Sequence, residues 1–232
     1  IHKHRIENGL ISLSNMKAFV RCRFTAQPDK IEVNRPDRKT LAYDSIGWHG
    51  EPFTALAGMA YPTKEGQPIT WDLTDSATPH CLICGTTGSG KSIELLTMAM
   101  SMAEATSPAQ LALYVVDGGH HTLQPLSGLP HTVSHAVDHE GATETLAVIC
   151  QIIAQRKRDG DAANSGRVLL VIDEFANLSE AVLRICGDKA QQEFISNFAN
   201  ITAEGRKWGV HCVCGTQKAL SEVTGSLSKS NI

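Results

Sequence analysis

The sequence predicts an α/β protein in which helices cover both faces of a mostly parallel β-sheet. Two observations support this fold class. From about residue 69 onward, short apolar segments alternate with longer helical segments, as they do in chains that form parallel sheets. One of the short segments, residues 168–172, is entirely apolar, which is typical of a strand buried on both of its faces.

The individual elements follow from the same alternation. Strands are predicted at residues 81–84, 111–116, 131–134, 168–172 and 210–214, and helices at residues 90–105, 140–157 and 188–203. The loop at residues 159–166 is polar and contains glycine. Since sheets of this type usually contain further strands, we expect residues 69–232 to form a core domain that lacks its last strands.

The first part of the chain, residues 1–68, has a different pattern. Apolar and polar residues alternate at 18–24, 30–33 and 40–43, and turn residues separate these segments. This alternation predicts a small antiparallel β-rich segment that precedes the core. Residues 47–70 are rich in glycine and proline, which predicts a connector with room for one short strand.

Charge and hydropathy narrow the class of protein. The chain carries 21 Lys and Arg residues against 24 Asp and Glu residues, so it is slightly acidic. A protein that wraps a nucleic acid over a broad surface is normally basic, whereas a ring that contacts it through a few loops need not be. No apolar run approaches the length of a membrane span, and the N-terminus does not resemble a secretion signal. We therefore expect a cytoplasmic protein with no membrane segment in this chain.

The cysteine and histidine patterns do not favour a metal site. The seven cysteines are an odd number scattered through apolar segments, which indicates free thiols in a reducing compartment. Two close cysteine pairs lie inside predicted strands, where cysteine behaves as a small apolar residue: Cys81 with Cys84, and Cys212 with Cys214. Three histidines recur every four residues, but a proline and β-branched residues predict strand and loop there rather than a helix: His131, His135 and His139.

Residues 85–92 contain the most informative motif of the chain. Their sequence, Gly-Thr-Thr-Gly-Ser-Gly-Lys-Ser, has two glycines five positions apart, followed by lysine and a hydroxyl residue. The motif lies between a segment typical of a buried strand and an apolar helical segment. Glycines in such a loop let backbone N–H groups surround phosphate oxygens, and the helix N-terminus adds partial positive charge. We therefore predict a nucleotide-phosphate site, here called the phosphate loop, formed by Gly85, Thr86, Thr87, Gly88, Ser89, Gly90, Lys91 and Ser92.

An acidic pair, Asp173 and Glu174, directly follows the apolar strand at 168–172. The carboxyl ends of parallel strands meet at one edge of a sheet, so this pair is predicted to lie beside the phosphate loop. Asp173 and Ser92 are then expected to hold Mg²⁺, and Glu174 to polarise an attacking water. The alternative is an acidic pair that only stabilises the N-terminus of a helix.

Three further residues are catalytic candidates. Lys91 is expected to reach the β- and γ-phosphates as a point charge. Gln217 follows the strand at 210–214 and could contact the γ-phosphate or the water, although Thr-Gln pairs are also common in turns. Arg206 lies at a helix end, where the dipole alone favours a cation, or it could supply charge to the transition state across a subunit boundary. Arg156 and Arg158 are competing candidates for that second role.

Taken in order along the chain, these segments resemble the FtsK/SpoIIIE family of DNA translocases. The similarity is carried by the Pro-His-apolar strand at 79–84, the phosphate loop, the segment Val-Ile-Asp-Glu-Phe-Ala at 171–176, and Gly-Arg-Lys-Trp-Gly-Val-His at 205–211 followed by Gly-Thr-Gln at 215–217. Residues 129–133 and 31–34 resemble two weaker family stretches. The likeness extends over residues 31–232. The chain departs from the family pattern at residues 117–119, where the family commonly has Asp-Pro-Lys, and at residues 218–219, where it often has Arg-Pro.

The resemblance implies a RecA-like P-loop ATPase that uses ATP and Mg²⁺ and assembles as a hexameric ring around double-stranded DNA. ATP hydrolysis would move the DNA through the pore, and the loop at 118–122 is a candidate for DNA contact. The DNA-recognising winged-helix module of the family is not found in this sequence, so a plasmid, phage or conjugative role is as open as chromosome segregation. Two alternatives remain: a related ATPase that powers conjugative DNA transfer or specialised protein secretion, and a scaffold that binds ATP but scarcely hydrolyses it.

Overall fold

A computed structural model of the chain describes residues 46–59, 67–119, 121–160 and 166–217. These residues form a two-stranded antiparallel sheet and a five-stranded parallel sheet. The small sheet pairs β1 (Thr54–Met59) with β2 (Pro68–Asp72). The large sheet has the order β3-β7-β6-β4-β5, with β3 His80–Cys84, β4 Leu111–Asp117, β5 Thr132–Ala136, β6 Arg167–Asp173 and β7 Val210–Thr216.

Four α-helices cover the large sheet within the described residues. They are α1 (Lys91–Ala105), α2 (His139–Asp159), α3 (Phe175–Cys186) and α4 (Asp188–Glu204), and short 3₁₀ turns occupy Gln124–Gly128 and Gly205–Trp208. Helix α1 packs on one face of the sheet, and α2, α3 and α4 pack on the other, so each face has its own buried apolar cluster. The predicted α/β fold, with helices on both faces of a parallel sheet, is confirmed.

The central strand β6 shows why the sheet needs two helical layers. Leu169 and Val171 belong to the cluster under α1, whereas Leu170 and Ile172 belong to the cluster under α2 and α4. All four side chains are fully buried. Complete burial of each such side chain contributes roughly 1.5–3 kcal/mol, so both helical layers are stabilised by the same short strand.

The region predicted as a connector contains an ordered hairpin. Strand β1 and the first residues of β2 lie within residues 47–70, where the sequence predicted room for one short strand. The hairpin packs on α1, because Leu56 N donates to Ser101 Oγ at 2.8 Å and Ala55 is buried in the cluster that contains Met98. Strand β1, although it lies before position 68, therefore packs with the core. The β-rich segment predicted at 18–43 lies outside the described residues.

Helix α3 was not predicted as a helix. Its apolar residues Phe175, Leu178 and Val182 follow helical spacing and are all buried. Gly187 separates it from α4 and has a φ of 87°, a backbone conformation that residues other than glycine rarely adopt. The sequence prediction for this part of the chain covered only the acidic pair Asp173 and Glu174, which precedes α3, and it did not include the amphipathic pattern of the helix itself.

Candidate functional site

The carboxyl ends of three neighbouring strands meet at one edge of the large sheet. The phosphate loop follows β3, Glu174 follows β6, and Gln217 follows β7. The register pairs Cys84 with Thr216, and Ile172 with Cys214, so the three strand ends are nearly level. Side chains that are far apart in the sequence therefore converge at this edge.

The phosphate loop is closed by backbone contacts. Gly85 N donates to Thr216 O at 3.3 Å, and Ser89 N donates to Thr86 O at 3.1 Å. A Cβ on Gly85 would collide with Oγ of Ser89, so a larger residue at that position would force the Ser89 side chain to move. Gly90 has a φ of 101° and precedes α1 without a side-chain capping bond. The first N–H groups of α1 are thus free of a side-chain cap, as in helix ends that bind anions.

Ser92 and Asp173 form a hydroxyl–carboxylate pair. Ser92 Oγ donates to Oδ2 of Asp173 at 2.5 Å, and Glu174 N donates to Oδ1 at 2.9 Å. Burial raises the pKa of Asp173, and the negative charge of Glu174 adds to the rise, whereas the Ser92 hydroxyl and the Lys91 ammonium oppose it. Hydroxyl and carboxylate oxygens are ligands that Mg²⁺ prefers, so the donor set fits this ion.

The carboxylate of Glu174 contacts residues from three elements. Lys91 Nζ lies 3.4 Å from Oε1, and Gln217 Nε2 donates to the same oxygen at 2.7 Å. Asn177 Nδ2 donates to Oε2 at 3.3 Å. The backbone of Glu174 has a φ of 54°. A non-glycine residue in this left-handed conformation is strained by roughly 1–3 kcal/mol, and such strain is common at functional sites.

Gln217 connects the phosphate loop to Glu174. Thr87 Oγ1 donates to Oε1 of Gln217 at 2.9 Å, while the amide nitrogen of Gln217 donates to Glu174. The two ends of one amide thus contact the phosphate loop and the carboxylate. Any group that enters the loop and displaces Thr87 or Lys91 will also change the surroundings of Glu174.

A comparison with protein families agrees with this geometry. The profile of the FtsK/SpoIIIE family matches residues 42–167, which is more than half of the chain. The chain belongs to this family. The family resemblance predicted from the sequence is confirmed.

Curated relatives in the family are much longer than this chain. DNA translocase SftA of Bacillus subtilis (strain 168) is 28% identical over 201 residues, which are 78% of this chain and 20% of that protein. DNA translocase FtsK of Tropheryma whipplei (strain TW08/27) is 27% identical over 227 residues, which are 87% of this chain and 30% of that protein. The chain therefore spans a fifth to a third of the length of these relatives.

Solved structures of other ATPases share the fold. Thermomonospora curvata EccC (ATPases 2 and 3), in complex with a signal sequence peptide, matches 80% of this chain and 36% of its own length with a TM-score of 0.60 and 24% identity. The conjugation coupling protein TcpA of pCW3, a monomer form with ATPγS, matches 78% of this chain and 53% of its own length with a TM-score of 0.61 and 18% identity. These likenesses confirm the RecA-like P-loop fold.

Most of the predicted site residues lie together, but Arg206 does not. The phosphate loop, Asp173, Glu174 and Gln217 share one edge of the sheet. Arg206 is exposed in the 3₁₀ turn that precedes β7, so it lies at the opposite edge of the sheet. Of the competing arginines at the end of α2, Arg156 is buried and donates to Trp208 O at 2.6 Å, and Arg158 donates to Gln155.

Two residues of the site were missed by sequence reasoning. Asn177 lies three positions after Glu174, and its contact follows from helix α3, which was not predicted. Gly215 lies so close to β6 that a Cβ there would be 2.7 Å from Oδ1 of Asp173. The tight approach depends on strand pairing, and no local signal in the sequence indicates it.

The described residues outside this edge of the sheet show no metal cluster and no membrane helix. Among the residues described, no group of three or more His, Cys, Asp and Glu side chains is placed to hold a metal ion. None of the helices in the described ranges is long and apolar enough to cross a membrane. The loop that begins at Gly118 packs against the site, since a Cβ on this glycine would be 2.6 Å from Cγ of Leu178 and 2.8 Å from Asp173 O. Close packing thus accounts for Gly118, the first of the two glycines within residues 117–119, where the family commonly has Asp-Pro-Lys.

Proposed function

We propose that the chain is the motor domain of an ATP-dependent double-stranded DNA translocase that hydrolyses ATP in a ring. The observation that carries this proposal is the convergence of Lys91, Ser92, Asp173 and Glu174 at the carboxyl edge of the sheet. Family membership supports a nucleotide-binding ATPase. The printed names of the curated relatives support DNA as the substrate on which the motor acts.

The residues of the phosphate loop fit the triphosphate of ATP. The backbone of the loop and the uncapped first turn of α1 supply N–H donors, and Lys91 supplies the cation. Ser92 and Asp173 would hold Mg²⁺, which when bound neutralises charge on the phosphates and polarises them. Asp173 must be ionised for this role; burial raises its pKa and so opposes ionisation, whereas the Ser92 hydroxyl and Lys91 favour the ionised form.

Glu174 is the residue that we assign to the attacking water. Its Oε1 is paired with the ammonium of Lys91, which reduces its ability to accept a hydrogen bond from water. When phosphate oxygens become the partners of Lys91, that oxygen of Glu174 loses its cation and can orient the water. Gln217 lies beside the same oxygen, so it is placed to contact the γ-phosphate or the water and to report hydrolysis to β7.

Arg206 is proposed to act on a neighbouring subunit rather than on its own. It is exposed and lies at the edge of the sheet opposite its own phosphate loop, which supports contact with an adjacent site in a hexameric ring. If this is right, mixing Arg206→Ala subunits with Lys91→Ala subunits restores some ATP hydrolysis, because intact loops then meet intact arginines. Either variant alone is expected to be inactive. Activity of the Arg206→Ala variant alone at the normal rate would contradict the assignment.

The second candidate keeps the ATPase and changes the cargo. The fold matches of this chain to EccC and to the conjugation coupling protein TcpA support an ATPase that powers specialised protein secretion or conjugative DNA transfer. Whichever cargo the ATPase moves, we propose that it acts in the cytoplasm. A scaffold that scarcely hydrolyses ATP is disfavoured, because Lys91, Asp173 and Glu174 are all present and lie together beside the phosphate loop.

ATP turnover with and without long duplex DNA separates these candidates. Strong stimulation by DNA, absent in Lys91→Ala, supports the translocase. Turnover that DNA does not stimulate, or that a peptide stimulates, supports secretion, and no turnover supports the scaffold. A further variant, Thr122→Ala in the loop at 118–122, is expected to lose stimulation by DNA while it keeps basal turnover, since this loop is the candidate for DNA contact and begins beside Asp173.

A further inference from the structure

We infer that Asn177 is a positioning residue that holds the carboxylate of Glu174 in the orientation needed to act on water. This inference rests on the proposed hydrolytic role of Glu174. It assigns a function to a residue at the start of α3 that contacts neither the phosphate loop nor the Ser92–Asp173 pair in the hydrogen bonds of the described residues.

The two oxygens of Glu174 have different kinds of partner. Oε1 contacts Lys91 and Gln217, which both also belong to the phosphate side of the site. Nucleotide binding is expected to change both of these contacts. Oε2 receives the amide N–H of Asn177, which lies on the same helix start as Glu174 itself. Asn177 is therefore the partner that can stay in place while the partners of Oε1 change.

Helix α3 is anchored well enough to hold Asn177 in place. Phe175 stacks on Phe194 of α4 with ring centroids 5.2 Å apart, and its ring lies 4.3 Å from that of Phe198. All three aromatic rings are almost completely buried. Aromatic pairs of this kind stabilise packing by about 0.5–1.5 kcal/mol beyond their buried area. The first turn of α3 is thus fixed against α4, which holds the backbone of Asn177 in place, while its exposed side chain donates to Glu174 at 3.3 Å.

The chemistry of an amide suits this role. Asn177 donates a hydrogen bond to a carboxylate but does not titrate, so it can orient Glu174 without exchanging a proton with it. The carboxylate of Glu174 is a planar group, so a hydrogen bond that holds Oε2 also limits the positions that Oε1 can take.

The test compares Asn177→Ala and Asn177→Asp with matched variants of Asn200, an exposed asparagine on α4 that contacts Cys150. We expect Asn177→Ala to lower kcat for ATP about 3- to 30-fold, with affinity for a non-hydrolysable ATP analogue changed less than about twofold. Asn177→Asp places a second carboxylate beside Glu174, whose other charged neighbours are Lys91 and Asp173. The added negative charge should move the low-pH limb of the plot of kcat against pH to higher pH. Asn200→Ala and Asn200→Asp should leave all three measurements unchanged.

A structural measurement makes the inference testable without hydrolysis. Crystal structures of the wild-type protein and of Asn177→Ala should differ in the direction of the Glu174 carboxylate, with Oε2 displaced from its original position. An unchanged carboxylate direction would overturn the inference, and so would a normal kcat with an unmoved pH profile in Asn177→Asp. If the wild-type protein does not hydrolyse ATP, the proposed function fails, and the crystal structures still decide whether Asn177 orients Glu174.

Discussion

Nζ of Lys91 lies 3.4 Å from Oε1 of Glu174, and the two side chains are only 6% and 10% exposed. Breaking a buried ion pair by removing one partner leaves the other charge buried and unpaired, which is costly. A triphosphate in the phosphate loop would replace Glu174 as the partner of Lys91. We therefore expect nucleotide binding and the release of Glu174 to be coupled through one ammonium group.

Lys91→Ala is expected to abolish nucleotide binding. The variant loses the cation that faces the β- and γ-phosphates, and it leaves Glu174 buried without its ion-pair partner. A fluorescent ATP analogue should bind at least about 100-fold more weakly. The control is Lys157→Ala at the exposed end of α2, which should bind as the wild type does. Wild-type affinity in Lys91→Ala would show that the nucleotide binds elsewhere.

Glu174→Gln is expected to keep nucleotide binding and lose hydrolysis. Glutamine keeps the size of the side chain but cannot activate water, and a general base typically contributes about 10²–10⁴ in rate. Because the neutral amide competes less with phosphates for Lys91, affinity for ATP should be equal to or higher than that of the wild type. Single-turnover hydrolysis and equilibrium binding measure the two effects, with Glu193→Gln on the exposed side of α4 as the control. Hydrolysis at the normal rate would refute the assignment of Glu174.

Gly215→Ala tests the close approach of β7 to the site. The added Cβ would be 2.7 Å from Oδ1 of Asp173 and 2.8 Å from Cδ1 of Leu95, which is fully buried. Overpacking of this kind costs about 1–3 kcal/mol in the free energy of unfolding, and the displaced carboxylate should raise the Mg²⁺ concentration that hydrolysis needs. Denaturant unfolding and a Mg²⁺ titration measure these effects. Gly128→Ala, where a Cβ meets nothing within 4 Å, should change neither.

His211 is predicted to make the fold sensitive to acid. Arg167 Nη1 lies 2.9 Å from Nε2, so this nitrogen accepts from the guanidinium and Nδ1–H donates to Pro79 O at 3.0 Å. Burial lowers the pKa of His211 from 6.5 to about 4; the Pro79 carbonyl and Asp72 oppose this shift, while the charges of Arg167 and Arg156 add to it. In the unfolded chain the imidazole takes up a proton below about pH 6.5, whereas the folded protein does so only near pH 4.

Stability due to His211 should therefore be complete above about pH 6.5 and decrease as the pH falls towards 4, by about 3 kcal/mol at most. His211→Gln cannot titrate, so the difference in unfolding free energy between it and the wild type should shrink over this range. Urea unfolding at several pH values measures that difference. A constant difference in His211→Gln would contradict the prediction.

Several parts of the site could be predicted from the sequence because they depend on neighbours along the chain. The phosphate loop needs glycines at Gly88 and Gly90, whose φ values are 75° and 101°, and any chain with this local pattern can form it. Asp173 ends and Glu174 follows a strand whose preceding residues are apolar on both faces, and the direction of parallel strands then places the pair beside the loop. The identity and the direction of this strand were therefore enough to predict where the acidic pair lies.

Other contacts were decided only by strand order and helix packing. Thr87 and Gln217 are 130 residues apart in sequence, and their hydrogen bond exists because β3 pairs with β7 in one register. Gly215 lies against Asp173 because β7 also pairs with β6. These pairings depend on which buried faces fit together, and no short segment carries that information.

The amino-acid sequence by itself determined the candidate site, since the residues that we propose to bind phosphate and the acidic pair are each specified by local backbone geometry and covalent order. Tertiary structure alone decided which distant groups surround the carboxylate of Glu174. Lys91 reaches it from α1 and Gln217 from the end of β7, whereas Asn177 is a neighbour along the chain, three positions away on α3. The physical reason is that side-chain contacts between distant residues arise from the packing of whole elements, which minimises exposed apolar surface over the entire chain.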